Sequence, residues 1–443
     1  MTLSNLLRQP AEQQIACLPL PCSLWLPDGQ RIGAAQPRLS FVIRDLRALL
    51  HLTQGAIGRL AEDYVEGRLE IEGDLHDLMA AAPALLRQDP TQEAHGWLMR
   101  QINRTQRAIW AHTHHSRAKD AAQIQHHYDL SDEFYALWLD PLRVYACAYF
   151  SAPGMSLAQA QQAKLDHICR KLMMRPGERF LDVGAGWGAL LLWAAEHYGV
   201  AATGITLSRN QHAYVNRLIE QKGLQDRVRM LLQDYRDIDE SMWCFDKIAS
   251  VGMCEHVGRP NLPLYFAKMR RLLRPGGLMM NHSITAGGVD HPQLDGGMGD
   301  FIDRYIFPGG QLVHVSVMMD AMTRGKLEPV DAECLRPHYV RTLWLWADAL
   351  EAHLDEARRT LGRDAERIIR AYRLYLAGSA MGFERGWTSL FQIPASRPED
   401  RIEPPGHVPG RLGETQDRYP YNRSYMYAQS SIAEPADGAR MMG

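Results

Sequence analysis

The stretch Glu178-Arg-Phe-Leu-Asp-Val-Gly-Ala-Gly-Trp-Gly188 constrains this chain more than any other. Phe180–Val183 has the length and apolarity of a buried strand, and Gly184, Gly186 and Gly188 follow at alternate positions. An amphipathic run, Ala189–His197, begins at once. Strand, glycine turn and helix in that order mark a place where backbone approaches a ligand too closely for a Cβ. The helix N-terminus then presents unpaired N–H groups to something anionic. The spacing is G-x-G-x-G, which separates it from the G-x-G-x-x-G of dinucleotide binders.

What flanks this turn sets the architecture. Strand patterns at 178–184, 200–206, 227–233, 245–251 and 277–284 alternate with helical patterns at 188–198, 208–222 and 261–273. Such alternation predicts an α/β fold: an open, mainly parallel sheet covered by helices on both faces, with its ligand at the carboxyl ends of the strands. A chain of 443 residues exceeds one small domain. Residues 1–95, with a Pro27-Asp-Gly-Gln30 turn, a helical pattern over Phe41–Leu52 and an acidic, turn-rich Glu62–Asp74, read as a smaller N-terminal α+β domain. Residues 96–120 read as a linker helix carrying Arg100, Arg104 and Arg107 on one stripe. Such a face suits either an anionic membrane surface or plain solvent. The catalytic domain is expected over 121–395, and 396–443 read as an aperiodic, mobile tail.

Charge and cysteine usage exclude several classes. The net charge of −2 supplies no global field for nucleic acid. Seven cysteines form no C-x-x-C pair, and their number is odd, which suits a reducing cytoplasm. The N-terminus lacks a signal-peptide pattern, and Ala189–Ala195 is too short to span a bilayer. The histidines 112, 114, 115, 126 and 127 have no acidic or cysteine partner at ligand spacing, so no metal site is expected.

Beyond the glycine turn, the second strand pattern ends Gly204-Ile-Thr-Leu-Ser-Arg-Asn-Gln211 with no acidic residue for ribose hydroxyls; Thr206, Ser208 and Gln211 offer hydroxyl and amide groups instead. Ser208 has a simpler reading as a helix N-cap. The third ends Leu232-Gln-Asp-Tyr-Arg236, where a polar loop and a ring can frame a purine. These segments resemble the class I S-adenosylmethionine-dependent methyltransferases. The resemblance implies a Rossmann-like sheet, with Asp182, Gly184, Gly186 and Gly188 at the methionine moiety. It also implies Thr206, Leu207, Ser208 and Gln211 at the ribose, and Gln233, Asp234 and Tyr235 at the adenine.

Four further segments narrow the resemblance: His127-Tyr-Asp-Leu-Ser-Asp132, Val144-Tyr-Ala-Cys-Ala-Tyr-Phe150, Val251-Gly-Met-Cys-Glu-His-Val-Gly258 and Arg304-Tyr-Ile-Phe-Pro-Gly-Gly310. Together with His282-Ser-Ile284 and His338–Leu343, they resemble the cyclopropane-fatty-acyl-phospholipid synthase family, close to the mycolic acid cyclopropane synthases. That family implies methylene transfer from S-adenosylmethionine to the double bond of an unsaturated phospholipid acyl chain, through a carbocation. It implies Tyr145 and Ala146 beside the methionine moiety. It also implies a bicarbonate base held by Cys147, Glu255, His282, Tyr339 and the backbone of Ile284. The chemistry asks for a dry apolar slot, π faces for a cation and a proton acceptor near the new methyl group.

Ala185, Ala146 and Cys254 replace the family's usual Cys, Ser and Phe, and Ser379 stands where some members carry Cys. The expected enzyme is cytoplasmic and peripheral to the inner face of the membrane, with no nucleic-acid partner and a homodimer as one option. Other fates stay open: a methyl-branched or methylene product from the same cation, methylation of a small molecule, or a silent lipid-binding protein.

Overall fold

The computed structural model describes residues 3–86, 90, 131–289, 294, 297–398 and 422–427. The basic linker helix and the histidine cluster of the sequence reading lie outside them.

The N-terminal unit begins with α1 (Leu3–Ala16) and builds a four-stranded sheet of order β2-β1-β3-β4 from β1 (Cys22–Trp25), β2 (Arg31–Gly33), β3 (Leu39–Ile43) and β4 (Leu69–Gly73). Helices α2 (Leu46–Gln54), α3 (Ile57–Val65) and α4 (Leu75–Ala81) complete it. The helical pattern expected over Phe41–Leu52 is corrected here. Residues 39–43 alternate buried and half-buried as a strand, and the helix starts only after Asp45, whose carboxylate accepts from the Arg47 N–H as an N-cap. Nor is the acidic Glu62–Asp74 stretch wholly a loop. Asp63 is fully buried because Arg68 and His51 pair with its two oxygens.

The larger sheet runs β10-β12-β9-β8-β5-β6-β7, with strands β5 (Arg179–Val183), β6 (Ala201–Thr206), β7 (Val228–Leu232), β8 (Phe245–Val251) and β9 (Leu273–Ala286) mutually parallel. Short β10 (Glu328–Pro329) and β11 (Glu333–Cys334) and long β12 (Thr388–Ser396) add an antiparallel edge. The order reverses beside β5, which makes its carboxyl end the crevice of the sheet.

Helices α5 (Asp132–Ala136), α6 (Leu157–Lys171), α7 (Ala189–Tyr198), α8 (Arg209–Gln221) and α9 (Leu262–Leu272) accompany the parallel strands. Residues 190–195 of α7 are all buried, each large side chain contributing about 1.5–3 kcal/mol. Between β9 and β12 the chain inserts α10 (Met298–Tyr305), α11 (Val315–Arg324), α12 (Arg336–Ala352), α13 (Leu354–Leu361) and α14 (Ala365–Glu384). This insertion receives the N-terminal unit. α3 packs on α10 and α14, Tyr305 donates to Glu66 at 2.8 Å, and Arg370 donates to the Tyr64 carbonyl at 3.0 Å.

Part of the expected tail is ordered structure. α15 (Ser424–Tyr427) packs on α6, Met426 is fully buried, and Arg423 donates to the Val330 carbonyl at 2.7 Å. A short apolar anchor inside a polar stretch has no periodicity to reveal it. Among the described residues no helix is long and apolar enough to cross a membrane, and no cluster of His, Cys, Asp or Glu is placed to hold a metal.

Candidate active site

Two cavities meet at the crevice. The more polar one is lined by Gly184 and Gly186 after β5, Thr206, Leu207 and Gln211 after β6, and Gln233, Asp234 and Tyr235 after β7. All three glycines of the turn have positive φ. A Cβ on Gly186 would meet nothing within 4 Å, whereas one on Gly188 would sit 2.8 Å from a Val215 methyl. Gly186 therefore keeps space open for a ligand, while Gly188 exists for packing and as the left-handed N-cap of α7.

Neither Gly188 nor Ser208 lines the cavity. The expectation that Ser208 holds ribose is corrected: its buried Oγ accepts from the Gln211 N–H as the cap of α8. Its neighbours build the cavity wall, with Thr206 Oγ1 donating to Gln211 Oε1 at 2.8 Å. Asp234 holds Arg236 through both oxygens, and the Tyr235 ring stands edge-on to Tyr265 at 4.9 Å. Asp132, the last residue of the 127–132 motif, accepts from Asn210 at 2.7 Å and from the Trp187 indole at 3.5 Å, so this residue reaches the glycine turn. Asp182 lies beneath the turn rather than on the cavity. Burial raises its carboxyl to about 7, with Lys164 opposing, and the same burial lowers Lys164 to about 8.

The second cavity, of about 310 Å³, is in the range of small-ligand pockets. It lies between the two units: Phe41, Leu52, Leu69 and Met79 come from the first, and Phe301, Leu343, Leu374 and Phe383 from the insertion. Tyr145, Ala146, Cys147, Glu255, His282, Ile284 and Tyr339 all line it. Gly252 and His256, both in the Val251–Gly258 motif, line both cavities and mark the junction.

Glu255 and His282, far apart in sequence, meet the same cavity because β8 and β9 are parallel neighbours with Val251 opposite His282. Glu255 sits on a 3₁₀ turn just past β8. Its Oε1 accepts from the Ile284 N–H at 2.7 Å, and its Oε2 is buried without a partner among the described residues. The Ile284 N–H thus positions Glu255. Burial, opposed by the hydrogen bond from the Ile284 N–H, raises the Glu255 carboxyl to about 7.

His282 is buried; Gln392 Nε2 contacts its Nδ1 at 3.1 Å, and its Nε2 has no partner among the described residues. Burial, and then Lys164, Lys171 and His167, push its pKa well below the ordinary value. Cys147 is fully buried and donates to the Ala148 carbonyl; burial pushes its thiol far up, so no thiolate nucleophile forms there. Tyr339 packs between Phe383 and Trp346. Tyr145 donates to Tyr375 at 3.2 Å inside a ring cluster with Trp138, Trp346 and Phe307.

A sequence profile of the mycolic acid cyclopropane synthetase family matches residues 115–393. The chain belongs to this family. A probable fatty acid methyltransferase of Pseudomonas putida is 40% identical over 390 residues, covering 88% of this chain and 94% of that protein. Cyclopropane mycolic acid synthase 1 of Mycobacterium tuberculosis is 36% identical over 61% of this chain and 96% of its own length. The solved structure of mycolic acid cyclopropane synthase CmaA1 complexed with SAH and CTAB is 35% identical, covers 62% of this chain and 98% of that one, and superposes with a TM-score of 0.58. Family membership makes this chain an S-adenosylmethionine-dependent methyltransferase with a Rossmann-like α/β sheet.

Proposed function

We propose that the chain converts unsaturated phospholipid acyl chains to cyclopropane acyl chains, working at the cytoplasmic surface of the membrane. One observation carries this reading: an apolar cavity meets the glycine-turn cavity at Gly252 and His256, and two buried polar atoms without a partner among the described residues, Glu255 Oε2 and His282 Nε2, belong to residues that line it.

The polar cavity fits S-adenosylmethionine, because the open backbone at Gly186, the hydroxyl and amide groups of Thr206 and Gln211, and the Tyr235 ring match its parts. When bound, it supplies an electrophilic methyl group to the alkene. The rest is done by the protein. The apolar walls exclude water that would trap a cation on the acyl chain. The faces of Tyr145, Phe307 and Tyr339 stabilise positive charge without forming a bond to it.

A proton must leave the new methyl carbon as the electrons of that C–H bond form the ring-closing C–C bond to the cationic carbon. Glu255 Oε2 is the buried acceptor for it, its carboxyl raised by burial to about 7. The donor set also fits bicarbonate: Glu255 would accept its O–H and His282 would donate to one of its oxygens. Cys147 and Tyr339 would enclose it.

The test is incubation with S-adenosylmethionine and vesicles of monounsaturated phosphatidylethanolamine, followed by mass and NMR analysis of the acyl chains. The expected result is a gain of one methylene with high-field ring protons. Vinylidene or methyl-branch signals would replace the proposed product with another fate of the cation. No gain on any lipid would refute the reading.

A further inference from the structure

We propose that Gln392, oriented by Lys171, is a positioning residue that locks His282 in the tautomer whose proton is on Nε2. Three residues stand in one rung across the antiparallel edge of the sheet: Glu333 on β11 is the register partner of Gln392 on β12, which is in turn the partner of His282 on β9. Lys171, at the end of α6, reaches this rung from the side. Its Nζ donates to Gln392 Oε1 at 2.8 Å and also to Glu333 Oε2. Gln392, Lys171 and His282 are all essentially inaccessible to solvent.

An ammonium has only donors, so the amide oxygen must face Lys171. The amide NH2 then faces His282, where Nε2 of Gln392 lies 3.1 Å from Nδ1. An NH2 group can only donate, so Nδ1 must be the ring's bare nitrogen and the ring proton must sit on Nε2. The lock is itself held from outside. His167, one turn earlier on α6, contacts Glu333 Oε2 at 2.7 Å through Nε2 and the Met426 carbonyl at 3.1 Å through Nδ1. The carboxyl of Glu333 is drawn up by burial, but His167 and Lys171 outweigh this and hold it at about 2, so the anion that anchors Lys171 persists.

The consequence for catalysis, which rests on the proposed function, is a division of labour. His282 faces the cavity as a neutral donor and is not the base, which leaves proton acceptance to Glu255 or to an anion held with it.

The test uses the full chain labelled with ¹⁵N-histidine at pH 7, the His282 signals being assigned by their absence from His282→Asn. Wild type should show a protonated Nε2 and a bare Nδ1. In Gln392→Glu, the carboxylate keeps Lys171 but offers an acceptor to Nδ1, which should become protonated. With saturating lipid, kcat should fall about 10- to 100-fold, while KM for lipid and affinity for S-adenosylhomocysteine stay within about twofold. If Gln392→Glu does not fold, Lys171→Met frees the amide to flip and should give a mixture of both tautomers.

A wild-type His282 with its proton on Nδ1, or a Gln392→Glu ring unchanged from wild type, overturns the lock. Unchanged kcat in a variant with an altered tautomer overturns its part in turnover. A wild-type chain that shows the Nε2–H form but makes no lipid product refutes the proposed function and supports the lock.

Discussion

Glu255→Gln separates chemistry from binding within one residue. The substitution is isosteric, and the amide oxygen can still accept from the Ile284 N–H, so the turn past β8 should hold its shape. What changes is the buried Oε2, which becomes an NH2 donor that cannot take a proton. Loss of a positioned proton acceptor costs about 100- to 10,000-fold in turnover. Affinity for S-adenosylhomocysteine, measured by calorimetry, should stay within about twofold, because Glu255 does not line the polar cavity.

The same carboxyl predicts an effect on stability with a definite sign. Its ordinary value is 4.5 and burial raises it to about 7 in the folded chain. The folded state therefore binds the proton more tightly than the unfolded state, and wild type loses stability as pH rises through this window. The amide of Glu255→Gln does not titrate, so the variant should gain on wild type by roughly 3 kcal/mol between pH 4.5 and pH 8. Any constant cost of the buried amide cancels in this difference. Urea unfolding of both proteins across that range gives the number. A variant with wild-type turnover, or with lost cofactor affinity, or whose stability relative to wild type is flat with pH, would refute the assignment of Glu255 as a buried acceptor.

Other outcomes follow from the same geometry. Gly188→Ala should destabilise by about 1–3 kcal/mol in thermal unfolding, because its Cβ would press on Val215 at a positive φ; Val215→Ala should recover part of that. Iodoacetamide on the native chain at pH 8, read by peptide mass mapping, should label exposed Cys17, Cys244 and Cys334 and leave buried Cys147 untouched. Leu52→Trp, which fills the first unit's side of the apolar cavity, should lower turnover on long monounsaturated chains at least tenfold more than on short ones; equal losses would show that this wall does not hold the chain.

The parallel sheet was legible in the sequence because each strand and helix carries its own period. Phe180–Val183 and Ala189–His197 lie within a residue or two of β5 and α7. The candidate site was legible as residue types in short motifs, with Glu255 just past β8 and His282 on the neighbouring β9. Gln392, Lys171 and Glu333 were not, because each is ordinary in its own segment and acquires meaning only through cross-strand register and one helix end. Gly188 and Ser208 show the converse: residues in the right motif whose side of the backbone faces packing or a helix cap rather than the cavity. The apolar wall supplied by the N-terminal unit escaped for a simpler reason. Phe41, Leu52 and Met79 look like any core residue until a second unit leaves a space beside them.

The placement of Gln392 on β12 has a consequence for biosynthesis. β12 is the last strand of the large sheet, and it inserts beside β9, which was made more than a hundred residues earlier. A nascent chain can emerge with its glycine turn, Glu255 and His282 already translated, yet the ring of His282 has no partner to orient it until β12 leaves the ribosome and pairs. On the proposed lock, a product truncated before β12 would carry the glycine turn, Glu255 and His282 but lack the amide that orients the His282 ring.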